Sequence, residues 1–210
     1  DSAFCYCHSL TSITIPDSVT SIGDWAFYDC TSLTSITIPD SVTSIGDAAF
    51  YNCYCVTSLS IGDGLKSIGD SAFYKISSFL TSITVGDGNS VYDSRNNCNA
   101  LIHTATNTLL IGCENTVIPN GVEVIGASAF YNSHLPSIDI PNTVKIIENS
   151  AFYLCGNLQS IVIPNSVEEI SWNAFYLCYS LSSAEFGDGV TTIGNQAFMY
   201  TSLKDVVLGK

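Results

Sequence analysis

Nine cysteines and three histidines are the residues of this 210-residue chain best suited to metal or redox chemistry. Their spacing argues against it. Cys7, Cys30, Cys53, Cys155 and Cys178 each fall three residues after a phenylalanine, and the same slot elsewhere holds Ile76, Ser133 and Thr201. A slot open to Cys, Ile, Ser or Thr asks for a small buried side chain, a role free cysteine fills well. No C-x-x-C pair or histidine at ligand spacing accompanies them, and Cys5-x-Cys7 and Cys53-x-Cys55 point alternate side chains apart. His8, His103 and His134 lie in unrelated contexts. The stretches around Asp63, Asp87 and Asp188 (IGDG, VGDG, FGDG) resemble calcium turns. They occupy the place that IPDS or IPNS takes elsewhere, so glycine there is another way to turn the chain. No G-x-S-x-G, H-E-x-x-H or P-loop motif occurs. The expectation is a non-catalytic protein without metal or cofactor.

The remaining candidate chemistry is a set of hydroxyls at strand spacing. In Ser-Ile-Thr-Ile segments the isoleucines alternate inward, so the serine and threonine face out. The outward set is Ser12 and Thr14, Ser35 and Thr37, Ser58 and Ser60, Ser82 and Thr84, then Ser137 and Asp139, Ser160 and Val162, Ser183 and Glu185. The first half is all hydroxyl and the second is mixed and partly acidic. These are the candidate ligand-binding residues. The face lacks the aromatic and arginine anchors of tight interfaces, which favours weak or multivalent contact. A tyrosine row directly after the phenylalanines (Tyr28, Tyr51, Tyr74, Tyr131, Tyr153, Tyr176) is expected to stack and hold the opposite side together.

What positions these residues is a repeat. Phe4, Phe27, Phe50 and Phe73 are each 23 apart; Phe130, Phe152, Phe175 and Phe198 follow at 22, 23 and 23. A fixed period in the twenties denotes a solenoid, because one such coil cannot bury its own apolar face and must stack on copies of itself. Within a unit, Leu33-x-x-Ile36-x-Ile38 alternates as a short strand and Pro39 ends it. Val42-x-x-Ile45 followed by Ala49-Phe50 is spaced as a short helical or 3₁₀ turn.

Between Phe73 and Phe130 the spacing is 57, and the extra residues fall at about 86–117. There NCNALIHTATNTLLIGC reads as a β-hairpin. A turn centred between Ala105 and Thr106 sets Cys98 opposite Cys113, which makes them a candidate disulfide, with two free thiols as the alternative.

Composition narrows the partners. Six Lys and Arg against 19 Asp and Glu give a net charge of −13, which disfavours nucleic acid and anionic membrane surfaces. No apolar run is long enough to insert in a membrane. The chain opens inside a repeat and reads as a piece of a longer protein.

Units such as SLTSITIPDSVTSIGDAAFYNC resemble the BspA-like leucine-rich repeats of bacterial and protist surface proteins, over all 210 residues. The resemblance implies an α/β repeat solenoid, one domain over 1–210. It would be curved, with a parallel sheet on the concave face, short helical segments on the convex side and one inserted hairpin. It also implies an extracellular or cell-surface adhesion and protein-binding module, whose partner would be a host matrix or another surface protein. Glycan binding, a structural spacer holding another domain away from the cell, and ice binding by the hydroxyl array are the alternatives.

Overall fold

A computed structural model describes residues 1–207 and 209. A full coil, such as that of residues 31–53, has two strands. The first is the expected one: Ser35–Ile38, Ser58–Ile61 and Ser82–Val85 pair in parallel, with the isoleucines and leucine buried and the hydroxyls outward. Pro39, which has no N–H to give a ladder, ends the strand and opens a turn closed by the Val42 N–H to the Pro39 carbonyl at 3.1 Å. The second strand is Ser44–Ile45, paired with Ser21–Ile22 before it and Ser67–Ile68 after it. The apolar spacing that suggested a helical turn therefore belongs to a second, narrower sheet.

The segment after it corrects the α/β expectation. From Gly46 to Cys53 the chain forms a ribbon of turns, and among the described residues the only helical pieces are single 3₁₀ turns at Ile76–Ser78 and Arg95–Asn97. The cause is visible in the backbone. Residues two before and two after each phenylalanine are left-handed: Trp25 and Asp29 around Phe27, Ala48 and Asn52 around Phe50, Asn173 and Leu177 around Phe175. Left-handed residues cost roughly 1–2 kcal/mol each and cannot extend a right-handed helix. They let alternate N–H groups serve two directions. Those of Ala26, Tyr28 and Cys30 close turns within their own coil, while those of Trp25, Phe27 and Asp29 donate to Asp47, Ala49 and Tyr51 of the next at 2.7–2.9 Å. The ribbon thus forms a ladder between coils without being a strand. Carboxylates extend it: the Asp47 N–H donates to Asp24 Oδ1 at 2.9 Å and the Asp70 N–H to Asp47 Oδ1 at 2.7 Å.

Inside, the phenylalanines stack with centroids 5.0 Å apart for Phe27 and Phe50 and 4.9 Å for Phe130 and Phe152. Neighbouring tyrosines stack beside them, half-buried, as in Tyr28 on Tyr51 at 4.8 Å.

The insertion is a three-stranded antiparallel sheet of Tyr92–Asp93, Leu101–His103 and Thr108–Ile111. Its last strand also pairs in parallel with Val124–Ile125, so the insertion joins the narrow sheet of the later coils. It is a wall as well. Leu101, Ile111 and Cys113 belong to the core of the early coils, whereas Cys98, Ala100, Ile102 and Leu109 belong to that of the later ones. Period-two alternation sends successive side chains to opposite sides, and an extra residue at Leu110 turns Ile111 and Cys113 to the side opposite Leu109.

Candidate protein-binding surface

Strand pairing fixes the outward residues in columns. Ser35, Ser58 and Ser82 are register partners, as are Thr37, Ser60 and Thr84. In the later coils Ser160, Ser183 and Asp205 align, and Val162, Glu185 and Val207 align beside them. Ser12, Thr14, Ser137 and Asp139 lie in extended segments outside the assigned strands, so the face consists of two three-stranded patches on either side of the insertion. Thr14, Thr37, Thr84, Asp139 and Glu185 are exposed, and Val162 keeps 58% of its surface in solvent.

The threonine just before each strand behaves differently. The hydroxyls of Thr34, Thr57 and Thr81 donate to carbonyls of Thr11, Thr34 and Thr57 in the preceding coil at 3.0–3.1 Å. Those groups hold coils together. Among the described residues, no such bond engages the hydroxyls of Ser12, Thr14, Ser35, Thr37, Ser58, Ser60, Ser82 or Thr84. A backbone held on both sides and side chains with unused donors and acceptors make a surface that can bind without first being reorganised.

The cysteine slot is structural. Cys30, Cys53, Cys155 and Cys178 donate S–H to the carbonyls of Phe4, Phe27, Phe130 and Phe152, at 3.0–3.2 Å. Burial pushes the Cys53 and Cys178 thiols up to about 12 and Cys30 to about 11, while Cys155 also rises well above its ordinary value. Reactive thiolate is thereby suppressed.

Cys98 and Cys113 stand as free thiols. The hairpin register explains this: His103 faces Thr108 and Ile102 faces Leu109, but Leu101 faces Ile111, because a bulge leaves Leu110 unpaired. The extra residue moves Cys113 out of line with Cys98 and leaves the two sulfurs on opposite sides of the wall.

His103 bonds Thr106 at 2.8 Å, His8 lies 3.4 Å from the Asp29 carboxylate and His134 packs on Phe79. Among the described residues no group of three or more His, Cys, Asp or Glu converges as a metal site would require. No helix is long and apolar enough to cross a membrane. Sequence reasoning missed a cleft between the Phe73 and Phe130 coils. Its signal was the insertion's lack of an Ala-Phe pair, which means that one coil has no ribbon.

A family model for the BspA-type leucine-rich repeat region, in 6 copies, matches residues 1–110 and 108–210. A crystal structure of a leucine-rich cell surface protein from Faecalibacterium prausnitzii A2-165 is similar with a TM-score of 0.73 and 29% identity, over 98% of this chain and 62% of that one. This chain thus spans under two thirds of that relative's length. A leucine-rich repeat protein from Eubacterium ventriosum (TM-score 0.63, 21% identity, 95% of this chain and 73% of the other) shows the same fold. So does the pneumococcal vaccine antigen PcpA (0.57, 18%, 95% and 68%). Among curated proteins none matches.

Proposed function

Since the chain belongs to the BspA-type leucine-rich repeat family, we propose that it is a non-catalytic adhesion module, working at the cell surface or outside the cell. It binds protein through the outward face of its four-residue strands. The observation that carries this reading is the aligned, internally unbonded set Ser35, Thr37, Ser58, Ser60, Ser82 and Thr84, continued by Asp139, Val162 and Glu185. Leucine-rich repeat families are protein-binding as a class, and the similar Faecalibacterium prausnitzii protein is described as a cell surface protein.

Chemistry narrows the partner. The early patch offers hydroxyls for backbone and side-chain amides; the later one offers Glu185 beside the apolar Val162, and Asp139 in the coil before it adds a second carboxylate for basic side chains. The face lacks the tryptophan, tyrosine and arginine of strong hot spots, so binding is weak per site and gains from multivalency. A host matrix protein or another surface protein fits this better than a glycan, which would call for aromatic platforms on the same face.

The test is binding of the soluble chain to immobilised matrix proteins and glycans, beside the variant Thr14→Arg, Thr37→Arg, Thr84→Arg. Saturable protein binding that falls at least tenfold in the variant is expected. Binding unaffected by the variant moves the site off this face. No binding to any target leaves the solenoid as a spacer.

A further inference from the structure

The ladder that ties one ribbon to the next is broken once. In an intact seam the N–H groups of Trp25 and Phe27 donate to the carbonyls of Asp47 and Ala49. At the seam after Phe73 the equivalent donors are Ser71 and Phe73, and among the described residues neither finds a carbonyl in the following coil. Of the carbonyls they would face, that of Ala129 is taken by the Gly112 N–H at 2.9 Å and the Ser77 hydroxyl at 3.1 Å, and that of Ala127 accepts no backbone bond. The carboxylate ladder stops at the same level. Asp1, Asp24 and Asp47 each cap the next coil, but the Ala127 N–H that Asp70 would cap is held by Glu148 Oε2 at 2.9 Å.

Among the described residues, side chains alone join the two ribbons: Tyr74 meets Tyr131 at 5.1 Å, Asn132 bonds Ser78 at 3.1 Å and the Ser77 hydroxyl reaches the Ala129 carbonyl. Between them, lined by Asp70, Ser71 and Phe73 on one side and Ala127 and Ser128 on the other, lies a cleft of about 550 Å³, the size range of ligand sites. Its floor includes Tyr92, Leu101, Leu110 and Ile111; Asp70, Ala127 and Glu148 line its mouth.

We propose that this cleft takes an extended peptide segment of a partner protein, inserted between the two ribbons. The segment would have apolar side chains facing inward and a lysine or arginine at the mouth. The Ser71 and Phe73 N–H groups on one wall and the Ala127 carbonyl on the other offer backbone hydrogen bonds to a chain laid between them, as sheet edges do to peptides that add to them. Buried backbone N–H groups are seldom left without a partner, and the Phe73 residue is only 8% exposed. The inward side chains rest on Leu101, Leu110 and Ile111. The basic side chain meets Asp70 and Glu148, in a protein of net charge −13. This site is distinct from the strand face.

The test uses the acetylated, amidated peptide Thr-Val-Lys-Val-Thr with amide hydrogen exchange and NMR shifts. In the free protein the Ser71 and Phe73 amides are expected to exchange at least about 100-fold faster than those of Trp25 and Phe27. Peptide at concentrations on the order of 1 mM is expected to shift and slow them. Replacing its Lys by Glu, or N-methylating both Val, should abolish this, as should Ala127→Trp, while Asp70→Asn weakens it severalfold. Unchanged exchange at Trp25 and Phe27 shows that the variants remain folded, and arginines at Thr37 and Thr84 should leave peptide binding intact. The proposal is overturned if the Ser71 and Phe73 amides are already as protected as Phe27, if the peptide shifts nothing in the cleft, or if N-methylation makes no difference.

Discussion

The seam between the Phe27 and Phe50 coils and the seam between the Phe73 and Phe130 coils use the same residue types and differ in almost every bond. In the first, rings stack at 5.0 Å, a thiol in the slot after Phe50 reaches the Phe27 carbonyl at 3.2 Å, and three ribbon amides cross to the next coil. In the second, the coil that follows Phe73 along the chain has no ribbon, and the Phe130 ring is packed instead by Gly112, where a Cβ would come within 2.1 Å of Cε1. Ser133, in the cysteine slot, is 1% exposed with a hydroxyl that finds no partner. The lesson is that coil contacts here are cooperative by geometry. Removing one ribbon removes phenylalanine stacking and backbone ladder together, because both need the same spacing of about 5 Å.

The largest expected effect that would sharpen this contrast is at the rings. Phe50 is fully buried between Phe27 and Phe73, so Phe50→Ala should cost about 4 kcal/mol. Phe73 stacks on Phe50 alone, and Phe73→Ala should cost about 1 kcal/mol less, the worth of one aromatic pair. Denaturant unfolding of both measures it, and equal losses would break the comparison.

The next is alkaline pH. Thiols whose folded pKa is raised favour the protonated, folded state, so their contribution is complete below the ordinary value of 9.0 and is lost as pH rises toward about 12. The melting temperature should hold up to pH 9 and fall by several degrees by pH 11. Alkylation at pH 8 should modify the exposed Cys7 at least about 100-fold faster than Cys53, Cys155 or Cys178.

The smallest effect has opposite signs at the two kinds of seam. Cys155→Ala removes a buried S–H bond to Phe130 and should cost about 1 kcal/mol. Ser133→Ala removes a hydroxyl with no partner and should be neutral or stabilising by up to about 1 kcal/mol. Two losses of equal size would mean that the second seam is bonded after all.

Much of this was legible in the residues. The 23-residue spacing of phenylalanines gave the coil, the alternation in Ser35–Ile38 gave the inward and outward sides, and the small-residue slot gave the buried thiols. The ribbon was misread as helical because Ile45, Ala49 and Phe50 have spacings that suit either a helix or a strand followed by turns. The left-handed conformations at Trp25, Leu154 or Leu177 carry no sequence signal, since none of these residues favours that region. The division between structural and available hydroxyls was equally hidden: Thr34 and Thr37 are the same residue type, and only the neighbouring coil makes one of them a donor.

What the sequence determined by itself, then, is the period, the content of the core and the side of the strand that faces water. These follow from burial, which acts on each residue through its place in a short repeating pattern. The tertiary structure decided the rest: turns in place of a helix, a bulge at Leu110 that separates Cys98 from Cys113, and an open seam where a ribbon is missing. Each depends on which carbonyl or ring lies about 5 Å away in the next coil, more than twenty residues along the chain, where no local pattern reaches.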